Sequence, residues 1–182
     1  TAQVAGLGTA QLRALSATQV AAIGTDDLNV LSSTQVAALG TGQIAALTTT
    51  QLAALDNTQL GYLSTAQLRA IGATELTALS STQFPALSTT QVAGLSATQV
   101  AAMETEDLAA LLGPQVTALS TAAIAALGLA QFEALTTDQV GALSATQLRA
   151  IPTATLAAMA TDDLNALSPT QFAALSTRRW RR

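Results

Sequence analysis

Large apolar residues return along this chain at a spacing of three, then five, then three again. Counted in eights from Thr1, the fourth residue is Val, Leu, Ile or Phe and the seventh is Leu, Ile or Met, with no insertion or deletion through Ser176. The pattern makes 22 octads, octad n ending at residue 8n, and Thr177-Arg178-Arg179-Trp180-Arg181-Arg182 follows. A representative octad is Ser33-Thr34-Gln35-Val36-Ala37-Ala38-Leu39-Gly40.

The polar positions say what each octad does. Position eight is Ser, Thr, Asp or Gly in 18 of the 22 copies. These residues cap helix N-termini, because a short side-chain oxygen accepts from a free backbone N–H. Three residues on, position three is Gln in 16 copies, with Asp27, Glu75, Asp107 and Asp163 in four more. Ser or Thr followed at +3 by Gln or Glu is a capping box, and the apolar residues at positions seven and four flank it as a hydrophobic staple. Every octad therefore carries a helix start and also interrupts the helix before it. The spacing predicts helices of about six residues, roughly 10 Å long. Helices so short do not hold alone and must stack their fourth and seventh side chains on neighbours. A register with the Thr of position one as cap is the rival, but it loses the capping box.

One long rod is excluded, since eight residues at 3.6 per turn rotate an apolar stripe by roughly 80° per octad. A β-solenoid is the competing fold, favoured by the Thr, Val and Ile content. Against it stand the apolar spacing and the Ala at position six, replaced only by Gly6, Val30, Tyr62 and Gly94. Ala favours helix and is depleted in strands. The expected fold is all-α: an α-solenoid of very short, two-turn helices, one per octad. The prolines fit this register. Pro169 falls at the first helical position and Pro114 at the second, where a missing N–H costs nothing, and Pro152 replaces a cap. Pro85, at position five, is expected to distort its helix. Gly8, Gly24, Gly40, Gly72 and Gly128, besides serving as caps, can also take the left-handed conformation that ends the preceding helix.

The unbroken period makes residues 1–176 one continuous array, with 177–182 a basic C-terminal tail. The array carries eleven acids against Arg13, Arg69 and Arg149, a net of −8, which disfavours nucleic-acid binding. There is no Cys, His or Lys, so thiolate chemistry and disulfides are excluded and a nucleophile–base pair has no obvious members. No apolar run reaches the roughly 18 residues needed to span a membrane. The chain begins at Thr rather than Met, which suggests processing or a fragment of something longer.

Polar residues at position five recur in alternate octads near both ends: Arg13 and Asn29, then Thr117, Glu133, Arg149 and Asn165. The alternation suggests two octads per solenoid turn, with three or four also open. The stretch 13–39 is echoed 17 octads further on, from Arg149, including Thr161-Asp162-Asp163-Leu164-Asn165. Duplication of a block accounts for this echo. Over 103–128, Glu104, Leu112 and Gly113-Pro114 break the cap rule and Ala123 breaks the Gln rule. The first and last octads read like internal ones, without the polar caps that close a solenoid, so the array is expected to continue or to stack head to tail.

Four features could carry function. The acid pairs Asp26-Asp27, Glu106-Asp107 and Asp162-Asp163 have no second cluster nearby in sequence and suit the positive end of a helix. The Gln row is read as serving its own capping boxes and bonding neighbouring repeats. Thr rows at positions one and two could order water or ice or carry glycans. Arg178, Arg179, Arg181 and Arg182 around Trp180 could meet an acidic surface. No catalytic, cofactor-binding or metal-binding residue is expected, no cofactor, and no enzyme activity.

The stretch Leu-Ser-Thr-Thr-Gln-Val-Ala-Gly-Leu over residues 87–95 resembles octad arrays of large bacterial secreted or surface proteins, adhesin-like ones included. That resemblance implies an extracellular or cell-surface spacer or assembly role. It supplies no site residues, and the calcium-binding repeats that often accompany such adhesins are missing. The expected function is a structural repeat protein, a spacer, stalk or filament subunit that associates end to end. The alternative is a module that binds protein, glycan or ice on a Thr/Gln-lined face.

Overall fold

The computed structural model describes residues 2–176. Among them stand 21 α-helices and one 3-10 helix, one per octad, and no strand. Most octads fold the same way. Position eight is extended, as at Ser32 with φ −70° and ψ 163°. About six helical residues follow, and position seven is extended again, as at Leu39 with φ −64° and ψ 131°. Two extended residues thus form a corner between helices, as Leu39 and Gly40 do.

The caps are those the sequence predicts. Ser96 accepts from the Gln99 N–H at 3.2 Å while Gln99 Oε1 accepts from the Ser96 N–H at 2.9 Å. The same reciprocal pair recurs at Ser16, Ser32, Thr48, Ser64, Ser88, Thr136 and Ser144. At Gly8, Gly40, Gly128 and Leu112 only the Gln half exists. The glycines correct an expectation. No described residue has a positive φ, glycine included. Gly24 sits at φ −64° and ψ 150°: it is the extended cap of the helix it precedes, and no left-handed residue is needed where the corner is simply extended.

Stacking sets the architecture. Each helix packs on the helix three octads away, and this holds from octad 1 to octad 22. One coil therefore takes three helices, or three octads of chain, and the fold is a triangular α-solenoid. The two octads per turn suggested by position five are ruled out: positions two octads apart lie on different sides of the triangle. The block echo is displaced by 17 octads, which is not a multiple of three, so its two copies also face different ways.

The interior is one continuous apolar column. Positions four and seven line it, from Leu12 and Val20 through Ile151 and Met159, with the Gln side chains of position three buried at its corners. Stacked helices lie about 8–10 Å apart, so the array is a rod roughly 60–75 Å long, given its seven-odd coils. The prolines behave as predicted. Pro169 opens the last helix, Pro169–Ser176, and Pro114 lies in the first turn of Gly113–Ala118. Octad 11 is reduced to the 3-10 helix Phe84–Ala86, because Pro85 has no N–H to give the turn before it. Replacing it should let this octad form an ordinary helix. Pro85→Ala is expected to raise stability by about 1 kcal/mol, read as a rise in Tm of about 2–4 °C by calorimetry.

Candidate functional site

A two-turn helix satisfies few of its own backbone groups, so most of its N–H and C=O groups need outside partners. The Gln of position three supplies them in two directions. Its Oε1 accepts from the cap N–H of its own helix. Its Nε2 donates to two carbonyls at the end of a helix in the coil below. Gln43 reaches Leu12 and Leu15 at 2.7 Å, and Gln99 reaches Leu68 at 2.9 Å and Ile71 at 2.8 Å. Every Gln from Gln35 to Gln171 makes such links, between 2.6 and 3.4 Å. One amide thus ties a helix start to a helix end one coil down. From Gln35 on, the Gln row runs along the corners of the rod, mostly buried, as the fastening between coils. Smaller axial links join it on the sides, where Arg13 and Asn29 donate to Ala38 and Ala54 carbonyls.

Three pairs of acids do not become one site. Asp26-Asp27, Glu106-Asp107 and Asp162-Asp163 lie in octads 4, 14 and 21, which fall on three different sides of the triangle. No group of three metal-ligating side chains occurs among the described residues. No helix among them is long and apolar enough to cross a membrane. The interior void at Leu28, Val36 and Ile44 is apolar and about 20 Å³, room for one water at most. The basic tail, Arg178 to Arg182, lies outside the described residues. The Thr residues of position two do line up: Thr34, Thr58 and Thr82 form one exposed column and Thr50, Thr74 and Thr98 another, each step one coil.

Where an acid replaces Gln, the fastening changes character. Asp107 is 4 % exposed. Its carboxyl pKa is pushed up to about 6 by burial, then by the charges of Glu104 and Glu106, against the pull of the Glu104 backbone N–H. A carboxylate cannot donate to the Leu76 and Leu79 carbonyls in the coil below, which a Gln at this position would have reached. Because the folded chain holds this proton more tightly than the unfolded chain, the group destabilises the fold as pH rises from about 4 to about 6, and fully above that. Asp107→Gln should therefore raise Tm at pH 7.5 by about 3–6 °C. The gain over the unaltered chain should shrink as pH is lowered toward 4. An equal gain at both pH values would remove the titration from the explanation.

That the Gln row bonds a neighbouring repeat was legible in the sequence and holds; that the bonded repeat lies four octads back has no local signal. Sequence reasoning missed an open apolar groove on the last described coil, lined by Leu164, Asn165, Leu167, Pro169, Phe172 and Ala173. Position four is buried through most of the rod, yet Leu164 is 37 % and Phe172 55 % exposed, with no coil above them among the described residues.

The model of a family described as ALTTAQ repeat matches five consecutive stretches: residues 20–57, 52–89, 84–112, 115–145 and 145–177. The first three begin four octads apart. The six letters spell positions six to three across a corner, as in Ala46-Leu47-Thr48-Thr49-Thr50-Gln51. No curated protein matches the chain.

Proposed function

The chain belongs to the ALTTAQ-repeat family, and we propose that it is a structural rod: a narrow spacer or stalk whose copies also join end to end into filaments. One observation carries this reading. The same Gln fastening recurs from coil to coil along the whole array, while the acids that could build a reactive cluster are dispersed on three sides. Such an arrangement suits a spacer whose length is set by the number of coils. An extracellular or cell-surface setting is in keeping with the octad arrays the sequence resembles. The direct test is length. Inserting one further coil, copied from octads 12 to 14, should lengthen the particle by roughly 8–10 Å per insertion in small-angle scattering. A maximum dimension that does not grow in such steps would remove the spacer.

The exposed Thr columns favour a second reading, a module that binds protein, glycan or an ice surface. Stacked helices set their Thr residues about 8–10 Å apart. A glycan-array screen and a thermal-hysteresis assay test it, with Thr34, Thr58 and Thr82 all changed to Ala as the control. Signals that survive that change would exclude this column as the binding face.

A further inference from the structure

The glutamine rungs are not evenly spread along the rod. Octads 5 to 9, 11 to 13 and 17 to 19 each carry one. Octads 14, 15 and 16 stack on octads 11, 12 and 13. Here Asp107 and Ala123 stand where octads 14 and 16 would have Gln, and the Leu79 and Leu95 carbonyls beneath them receive no glutamine. Only octad 15 is fastened downward, by Gln115 to the Phe84 and Leu87 carbonyls. No other three consecutive octads between 5 and 18 lack two rungs among the described residues. Octads 20 and 21 lack theirs too, with Thr155 and Asp163 in place of Gln, but they belong to the last described coil.

Two further weaknesses fall on the same junction. Octad 14 stacks on the one octad that is not α-helical, Phe84–Ala86. Its own helix, Thr105–Ala110, opens on Glu104 without a side-chain cap bond, and Glu106 and Asp107 follow in the first turn. The apolar column is nevertheless unbroken, since Phe84, Leu108, Val116 and Ile124 are all buried. We propose that the rod is jointed: octads 1 to 13 and octads 14 to 22 are two stiff blocks, and the seam between them tilts and opens before either block does. Apolar burial is non-directional, so it holds two coils together without fixing their angle. Hydrogen bonds are directional, and each Nε2 held by carbonyls below fixes the spacing and twist of a coil. With one rung of three, the seam keeps its attraction and loses most of its angular restraint, and Gln115 becomes its pivot. Coils of a solenoid touch only near neighbours, so this local shortage is not made good elsewhere. The inference rests on the fold and goes beyond the spacer reading; a failure of the length test would leave it standing.

Hydrogen exchange on the whole unaltered chain, read by mass spectrometry, tests the seam. Protection factors in octads 14 to 16, residues 105–126, should be at least about tenfold lower than in octads 6 to 9 and in octads 17 to 19. The second comparison separates a seam from fraying, because octads 17 to 19 lie nearer the last described coil and would then be the less protected. Restoring the rungs should reverse the effect. Asp107→Gln should slow exchange over 105–126 by about threefold, and Asp107→Gln with Ala123→Gln by about tenfold, with octads 6 to 9 unchanged. Equal protection in the three regions of the unaltered chain would overturn the joint. Exchange that Asp107→Gln leaves unslowed, or slows alike along the whole rod, would overturn it as well.

Discussion

Gln99→Glu lowers the melting temperature by about 8–15 °C at pH 7.5, whereas Gln11→Glu leaves it within about 2 °C. Both residues occupy position three, and both accept the N–H of their cap through Oε1. A glutamate keeps that bond and adds a favourable charge at a helix start. The difference lies in the other half of the amide. Gln99 is 2 % exposed and donates to Leu68 and Ile71 in the coil below. The substitution leaves the buried Ile71 carbonyl unmatched, at about 1–3 kcal/mol, takes one of two donors from the Leu68 carbonyl, which keeps the Ile71 N–H, and faces both with a carboxylate that burial pushes toward its neutral form. Gln11 has no coil beneath it among the described residues and is exposed. Thermal melts of the two variants measure the axial rung separately from the local cap. Equal losses would mean that the Gln serves only its own helix.

Phe84→Ala costs about 3–5 kcal/mol, and Phe172→Ala costs less than about 1 kcal/mol. The two phenylalanines share position four, but Phe84 is 0 % and Phe172 55 % exposed. Removing Phe84 opens a cavity in mid-column within the 3-10 octad, where Pro85 has already weakened the backbone. In an array whose units touch only near neighbours, damage at the centre divides one cooperative column into two. The Phe84→Ala melt, followed by far-UV circular dichroism, should therefore fall by about 8–15 °C and broaden. A Phe172→Ala loss as large as that of Phe84→Ala would mean that the last coil is covered in solution.

Much of this architecture was legible from the chain. The three-and-five spacing marked the buried faces, the Ser/Gln pair marked the caps, and the single misfit proline located the one octad that is not α-helical. What was not legible depends on geometry accumulated over many residues. The coil count follows from the extended dihedrals at positions seven and eight, and no side chain advertises them. The alternation of Arg13 and Asn29 pointed to two octads per turn, yet those residues stand on different sides of the triangle. Gly8, Ser16, Gly24 and Ser32 all take the same extended corner, whichever residue type fills it. The donor half of each Gln becomes meaningful only once the coil below is in place. Asp107 shows the same dependence: a place at the positive end of a helix says nothing of its burial, which raises its pKa.

The central claim is a coil that closes every three octads, and distances between paired spin labels test it most directly. The chain has no cysteine, so labels can be placed at chosen position-two residues, all of them exposed: Thr58 with Thr82, Thr58 with Thr74, and Thr58 with Thr90. Thr58 and Thr82, three octads apart, should be the closest pair, with backbones about 8–10 Å apart, and Thr34 with Thr82, two coils apart, should lie about twice as far. A shorter distance for Thr58 with Thr74, or for Thr58 with Thr90, would contradict the three-helix coil and the glutamine fastening that depends on it.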